Sequence, residues 1–321
     1  MTGLLETITG LAGAWQWLIG GLCVVGLWVG AEKVIAGARD IARRFGVSEL
    51  IIGLTVVSIG SSFPEIFVNI NAGLKGVDDV GVGNIVGSCF VQISMILGLC
   101  VLVGGAMSET RKSIVRDGGM LLLSILLMFV FGMNGEISTI EALVMIFIYA
   151  AYMAYLWHHH EKNAPEKITK KAQKSVTTAM LYLIIGTGLV WISSDILIYI
   201  GIHAGEKMGI SDSIIGLLSG IGTSIPELSV SMIALLKHSN GISVGNLLGS
   251  NITDPLLSLP IGALLARGYS VDPFLTYSAI PAWFVASSVV LLIFYFRGRL
   301  GRVSASLLIM FYIGSFLVFL S

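Results

Sequence analysis

Gly60-Ser61-Ser62-Phe63-Pro64-Glu65 is followed 162 residues later by Gly222-Thr223-Ser224-Ile225-Pro226-Glu227. Both stretches lie within long apolar runs, where a carboxylate is expensive and a proline breaks the backbone ladder. A second pair keeps the same displacement. Gly83-Asn84-Ile85-Val86-Gly87-Ser88 returns as Gly245-Asn246-Leu247-Leu248-Gly249-Ser250, and Gln92 stands where Asp254 stands in the second copy. Glu65 to Gln92 and Glu227 to Asp254 are both 27 residues. The pattern is that of a duplicated polar site inside a membrane.

The composition agrees. Of 321 residues, 55% are hydrophobic and 12% charged, against about 25% charged in soluble domains. Mean hydropathy is +0.90. A net charge of zero by itself says nothing about partners, although its distribution does, and no nucleic-acid partner is expected. Cys23, Cys89 and Cys100 lie in apolar stretches without metal-type spacing and read as buried thiols. The start of the chain has no basic region of the kind that opens a cleavable signal peptide.

A spanning helix needs about 20 apolar residues. Ten such segments are expected, at 14–36, 48–74, 79–104, 114–133, 137–157, 176–204, 211–237, 241–266, 274–296 and 303–320. The sequence thus predicts an all-α integral membrane protein with a first five-helix repeat over 1–157, a polar linker over 158–175 and a second over 176–321. Five helices per half put the second half into the membrane from the opposite side, so the repeat is inverted, as in many secondary transporters. With the amino terminus outside, sixteen Lys and Arg fall on cytoplasmic connections and three, Lys75, Lys207 and Arg267, on outer ones. Both termini are therefore expected outside and the linker in the cytoplasm.

Glu65 and Glu227 have no Lys or Arg in either apolar core to pair with. A bound cation, a proton or a water-filled cavity is the remaining compensation. Two adjacent carboxylates repel by about 4 kcal/mol at 4 Å and an effective dielectric near 20, which a divalent cation would remove. Hard cations take oxygen ligands. Ser61, Ser62, Ser88, Gln92, Thr223, Ser224, Ser250 and Asp254 supply them, with Asp254 as a third carboxylate. Pro64 and Pro226 are expected to free carbonyls over Ser58–Ser61 and Gly220–Thr223, tolerable at membrane depth where they bind an ion. Gly83, Gly87, Gly245 and Gly249 should let the second and third helices of each half pack closely. Asn84 and Asn246 match across the halves and suit support of the ligands. Asp195 lies in the sixth helix without a counterpart in the first half, Glu32 reads as a solvated interface charge, and His158-His159-His160 as a solvated boundary cluster.

Gly-Ser-Ser-Phe-Pro-Glu and Gly-Thr-Ser-Ile-Pro-Glu resemble the repeats of the cation/calcium antiporter superfamily, the sodium/calcium exchangers. Gly87-Ser88 and Gly249-Ser250-Asn251-Ile252-Thr253-Asp254 resemble its second signature. The resemblance covers the whole chain. It implies a cell-membrane antiporter, not an enzyme, that exchanges calcium for sodium by alternating access, with the ions as substrates, the bilayer as surroundings and no cofactor. Glu65 and Glu227 would be central ligands. Ser61, Ser62, Thr223 and Ser224 would add hydroxyl or carbonyl oxygens, and Ser88, Gln92, Ser250 and Asp254 would complete the cluster. A calcium/proton antiporter or a potassium-dependent sodium/calcium exchanger is the alternative. Two departures stand out. Gln92 replaces the family's Asn or Asp, and Gly53 to Gly60 spans seven residues where Gly216 to Gly222 spans six. That deficit is expected to distort the seventh helix locally or shift its entry.

Overall fold

The computed structural model describes residues 13–76, 78–159, 175–207 and 221–320. Residues 160–174 of the linker and 211–220 of the expected seventh helix, including Gly220, lie outside them. Helices occupy the expected spans: α1 (Gly13–Phe45), the pair α2 (Glu49–Ser61) and α3 (Phe63–Lys75), α4 (Asp78–Gly104), α5 (Arg111–Gly132), α6 (Thr139–His158), α7 (Val176–Lys207), α8 (Ile225–Leu236), α9 (240–266), α10 (Leu275–Arg297) and α11 (Arg302–Leu320). The first span is longer than expected, because Arg39, Arg43 and Arg44 continue the helix to Phe45 instead of forming a connection.

Among the described residues, six helices are long and apolar enough to cross a membrane, or seven with the bent pair α2–α3. Three expected spans fall outside that count among the described residues. α8 is the described second half of its span, α11 falls among the shorter apolar helices, and Asn, Ser and Gly dilute the first half of α9.

The inversion is written into the connections. Strand β1 (Met107–Ser108) pairs with β4 (Arg299–Leu300), and β2 (Glu136–Ile137) pairs with β3 (Tyr269–Ser270), both antiparallel. Each ladder joins a connection of one half to a connection of the other. The topology puts those partners on the same membrane face.

α1 and α7 run antiparallel against each other, and glycine sets their distance. A Cβ on Gly30 would lie 2.9 Å from the Gly186 carbonyl oxygen, and one on Gly186 2.7 Å from that of Gly30. With neighbouring parts of α2 and α8 they form a hydrophobic cluster separate from the main core.

α2 crosses α9, so Gly245 and Gly249 serve packing between the halves and not within one, as had been expected. A Cβ on Gly53 would lie 2.9 Å from the Gly245 Cα, and one on Gly249 2.7 Å from the Ser58 Cβ. Among the described residues Gly87 meets nothing within 4 Å, and Gly83 meets only Leu275 at 4.0 Å.

α2 carries a π turn between Gly53 and Gly60, while the matching residues 216–220 lie outside the described ones. Residues Gly53–Val57 form a π turn, closed by the Ser58 N–H donating to the Gly53 carbonyl. A π turn absorbs one extra residue in an α-helix. Upstream of it the correspondence between halves shifts from 162 to 163 residues, which aligns Trp28 with Trp191 and Glu32 with Asp195. Asp195 therefore has a counterpart. Glu32 is no free surface charge either: it lies 2.7 Å from the Lys237 Nζ and accepts from the Trp28 Nε1 at 3.2 Å.

Candidate functional site

The break comes two residues before each proline. Ser62 (φ −76°, ψ 6°) ends α2 and Ser224 (φ −88°, ψ 7°) precedes α8, with the proline in the first turn of the new helix. α2 and α3 meet at 46°. Pro64 and Pro226 lack the N–H groups that the Gly60 and Gly222 carbonyls would accept in a continuous helix. The Ser58 carbonyl, expected to be freed, accepts from the Ser62 N–H at 2.9 Å and lies 3.3 Å from the Ser61 hydroxyl oxygen. The Ser58 hydroxyl bonds back to the Leu54 carbonyl at 2.7 Å.

Glu65 and Glu227 fall in the first turns of α3 and α8, where helix N-termini favour negative charge. Both are fully buried. None of their four carboxylate oxygens has a hydrogen-bond partner. The hydroxyl beside each comes from the other half: Thr223 faces Glu65 and Ser61 faces Glu227, with Ser250 beside Glu227 as well. The Ser62 and Ser250 hydroxyls and the Asn84 and Asn69 side-chain carbonyls are also buried without a partner. Uncompensated, a buried carboxylate costs several kcal/mol, on the order of 3 to 5 when a charge partner is removed.

The remaining candidates converge on this point from four helices. Ser61 Oγ donates to Asn246 Oδ1 at 2.9 Å. Asn246 keeps that polarity because its Nδ2 donates to the Ser231 hydroxyl at 2.9 Å and the Glu227 carbonyl at 3.4 Å. Ser61 thus spends its proton sideways and keeps its lone pairs for a cation. The matching contact in the other half joins Asn84 Nδ2 to Thr223 Oγ1 at 3.2 Å, and Ser88 shares the same hydroxyl at 3.2 Å.

Gln92 and Asp254 open equivalent π turns, Gln92–Ile96 and Asp254–Ser258. Gln92 Nε2 lies 3.4 Å from both Ser224 Oγ and Asp254 Oδ2, while its carbonyl oxygen accepts from Asn251 Nδ2 at 3.0 Å. Ser258 Oγ lies 3.5 Å from Asp254 Oδ1, and the Cys89 thiol 3.9 Å from Oδ2. Cys89 therefore faces the site, whereas Cys23 and Cys100 are free, buried thiols elsewhere. Among the described residues no three His, Cys, Asp or Glu side chains group closely enough to hold a metal by themselves. Neutral oxygens have to complete any coordination shell.

Several supporting residues were not legible in the sequence. Tyr149 of α6 shares a hydrogen bond with Thr253 at 3.2 Å, Trp283 of α10 donates to Asn251 Oδ1 at 2.9 Å, and Ser231 braces Asn246. Tyr149 and Trp283 lie in apolar helices outside the doubled polar motifs, so no motif singles them out. His158 and His159 are exposed at the end of α6, and His160 lies outside the described residues.

A family profile described as sodium/calcium exchanger protein matches residues 15–158 and again 178–321. The sodium/calcium exchanger MaX1 of Methanosarcina acetivorans is 30% identical over 341 residues, covering 93% of this chain and 96% of its own. The inner membrane protein YrbG of Escherichia coli K12 is 30% identical over 270 residues, covering 80% and 82%. A solved structure of the sodium-calcium exchanger NCX_Mj, soaked with sodium and without calcium, superposes with a TM-score of 0.81 at 27% identity over 95% of this chain and 98% of that one. The fold is the all-α, multi-span arrangement of ten helices in two inverted repeats.

Proposed function

The chain belongs to the sodium/calcium exchanger protein family, and we propose that the Glu65–Glu227 centre is where its ions bind. The protein is a secondary active antiporter, not an enzyme: it exchanges calcium for sodium across the membrane by alternating access. Calcium and sodium are its transported substrates, and the lipid bilayer is its surroundings.

The observation that carries the site is the four unpartnered, buried carboxylate oxygens of Glu65 and Glu227. Their two charges suit one calcium, and the same oxygens suit sodium ions that replace it. Ser61, Ser62, Thr223 and Ser224, at the two helix breaks, contribute hydroxyl or carbonyl oxygen. Ser88, Ser250 and Asp254 close the cluster from α4 and α9. Ser58 supports it from behind through α2, Gln92 flanks Asp254, and Gly220 lies outside the described residues.

α1 and α7 are the moving pair. They pack on each other through glycine backbones and share their own apolar cluster, which suits sliding against the main core. We place both termini outside, residues 158–175 in the cytoplasm, and the halves at 1–157 and 176–321. Lys and Arg placement supports the orientation, and the paired cross-half ladders support the inversion.

Calcium uptake into sealed proteoliposomes loaded with sodium tests the site and the coupling together. Uptake should need an outward sodium gradient and vanish in Glu65→Gln and Glu227→Gln. Uptake driven equally well by a proton or potassium gradient without sodium would replace the coupling ion.

A further inference from the structure

The contact between Gln92 and Asp254 has a direction that chemistry fixes from outside the site. The relay starts at Trp283, whose indole N–H can only donate. It donates to Asn251 Oδ1 at 2.9 Å, so the Asn251 amino group must point the other way. That group donates to the Leu247 carbonyl at 3.0 Å, an acceptor only, and to Gln92 Oε1 at 3.0 Å. The Gln92 carbonyl is thereby turned outward, and its amino group is left facing Ser224 Oγ and Asp254 Oδ2. One obligate donor and one obligate acceptor lock both amides, so the polarity does not depend on how either amide was assigned.

Resting on the Glu65–Glu227 reading, we propose that Gln92 enters the ion site as a fixed hydrogen-bond donor that stands where a monovalent cation would otherwise bridge Ser224 and Asp254, and that Asn251 and Trp283 are the positioning residues that hold it so. The Asp254 carboxylate accepts from Gln92, Ser258 and Cys89. All of these groups are buried. The matched position in the other half shows the alternative, because there the place of Gln92 is taken by Asp254 itself, an acceptor. Gln92 is thus a specificity-determining residue. With its amino group inward, the site presents one neutral oxygen fewer and one place for sodium fewer than an inward carbonyl would give.

Two variants separate this from a merely structural role. Gln92→Glu keeps the shape and the oxygen facing Asn251 but puts a carboxylate oxygen against Asp254. The double variant Asn251→Leu/Trp283→Phe removes donor and acceptor together, a change tolerated better than leaving one unpaired, and frees the Gln92 amide to turn. The readouts are calcium equilibrium binding in detergent against rising sodium, and calcium exchange in liposomes, with thermal unfolding as the folding control. Gln92→Glu should lose calcium exchange by about tenfold or more, the scale of one charge-assisted hydrogen bond. The double variant should fold and should need several-fold less sodium to displace calcium. Gln92→Glu exchanging like the unmodified protein would show that Gln92 offers its oxygen, and overturn the inference. An unchanged sodium requirement in the double variant would remove Asn251 and Trp283 from it. If the double variant does not fold, Trp283→Phe alone is measured, with a smaller shift in the same direction expected and no shift counting against the relay. Glu65→Gln run alongside keeps the two readings apart. Normal exchange in that variant sinks the ion-site reading itself, whereas its loss beside a fully active Gln92→Glu sinks only the role of Gln92.

Discussion

In the first half Glu65 follows a helix break at Ser62, and in the second Glu227 follows one at Ser224, each facing a hydroxyl from the opposite half. One helix further on, the likeness ends. Gln92 donates where Asp254 accepts, although each opens a π turn at the same place. The helix ends differ too. Glu32 closes on Lys237 at 2.7 Å, while the matched Asp195 and Lys75 line one cleft and, among the described residues, form no ion pair with each other. The two halves share their folding pattern and central charge, but not their finer chemistry or their state of closure. An inverted repeat that alternates between two openings has to be unlike itself in any one of them.

The sharpest way to break the comparison is to remove the matched acids. Glu65→Gln and Glu227→Gln should each reduce calcium exchange by about a hundredfold or more, the scale of removing one partner from a buried charge interaction. Size-exclusion profiles should stay those of the unmodified protein. If one variant is silent and the other active, the centre belongs to one half alone.

Next in size come the crossed hydroxyls. Ser61→Ala and Thr223→Val should each weaken calcium binding by about tenfold, the scale of one hydrogen-bonding group lost from a buried charged site. Similar losses, measured by calcium titration in detergent, would confirm that each half serves the other's acid. A loss confined to Thr223→Val would mean that Ser61 is only a brace for Asn246.

The smallest effect should be at the helix ends. Glu32 and Lys237 are partly exposed, so their pair is worth less than about 1 kcal/mol. Glu32→Gln should loosen the Lys237 end of α1, seen as faster amide hydrogen exchange there, with exchange activity changed less than about fivefold. Asp195→Asn should leave that end untouched. Equal effects of both would erase the difference between the two ends.

Much of this was legible from repetition. The doubled Gly-x-Ser-x-Pro-Glu stretch placed the acids, the breaks and the inversion, because a membrane tolerates buried charge only where it is used. The π turn at Gly53–Val57 was not legible. The sequence shows an odd residue but not the π turn, and the distortion or shifted entry expected in the seventh span falls at residues outside the described ones. Once that turn is known, Trp28 and Glu32 fall on Trp191 and Asp195, and a residue that seemed solitary gains a partner. The polarity of Gln92 was hidden for another reason. Amide direction is set by Trp283, an apolar-helix residue without a repeat, and only contact reveals it.

The central claim is that calcium and sodium occupy one duplicated carboxylate centre in turn. Calcium equilibrium binding to the purified protein, titrated at rising sodium and constant pH, tests it most directly. Calcium affinity should fall more steeply than one-for-one displacement gives, since several sodium ions replace one divalent ion. Calcium affinity indifferent to sodium would contradict the claim.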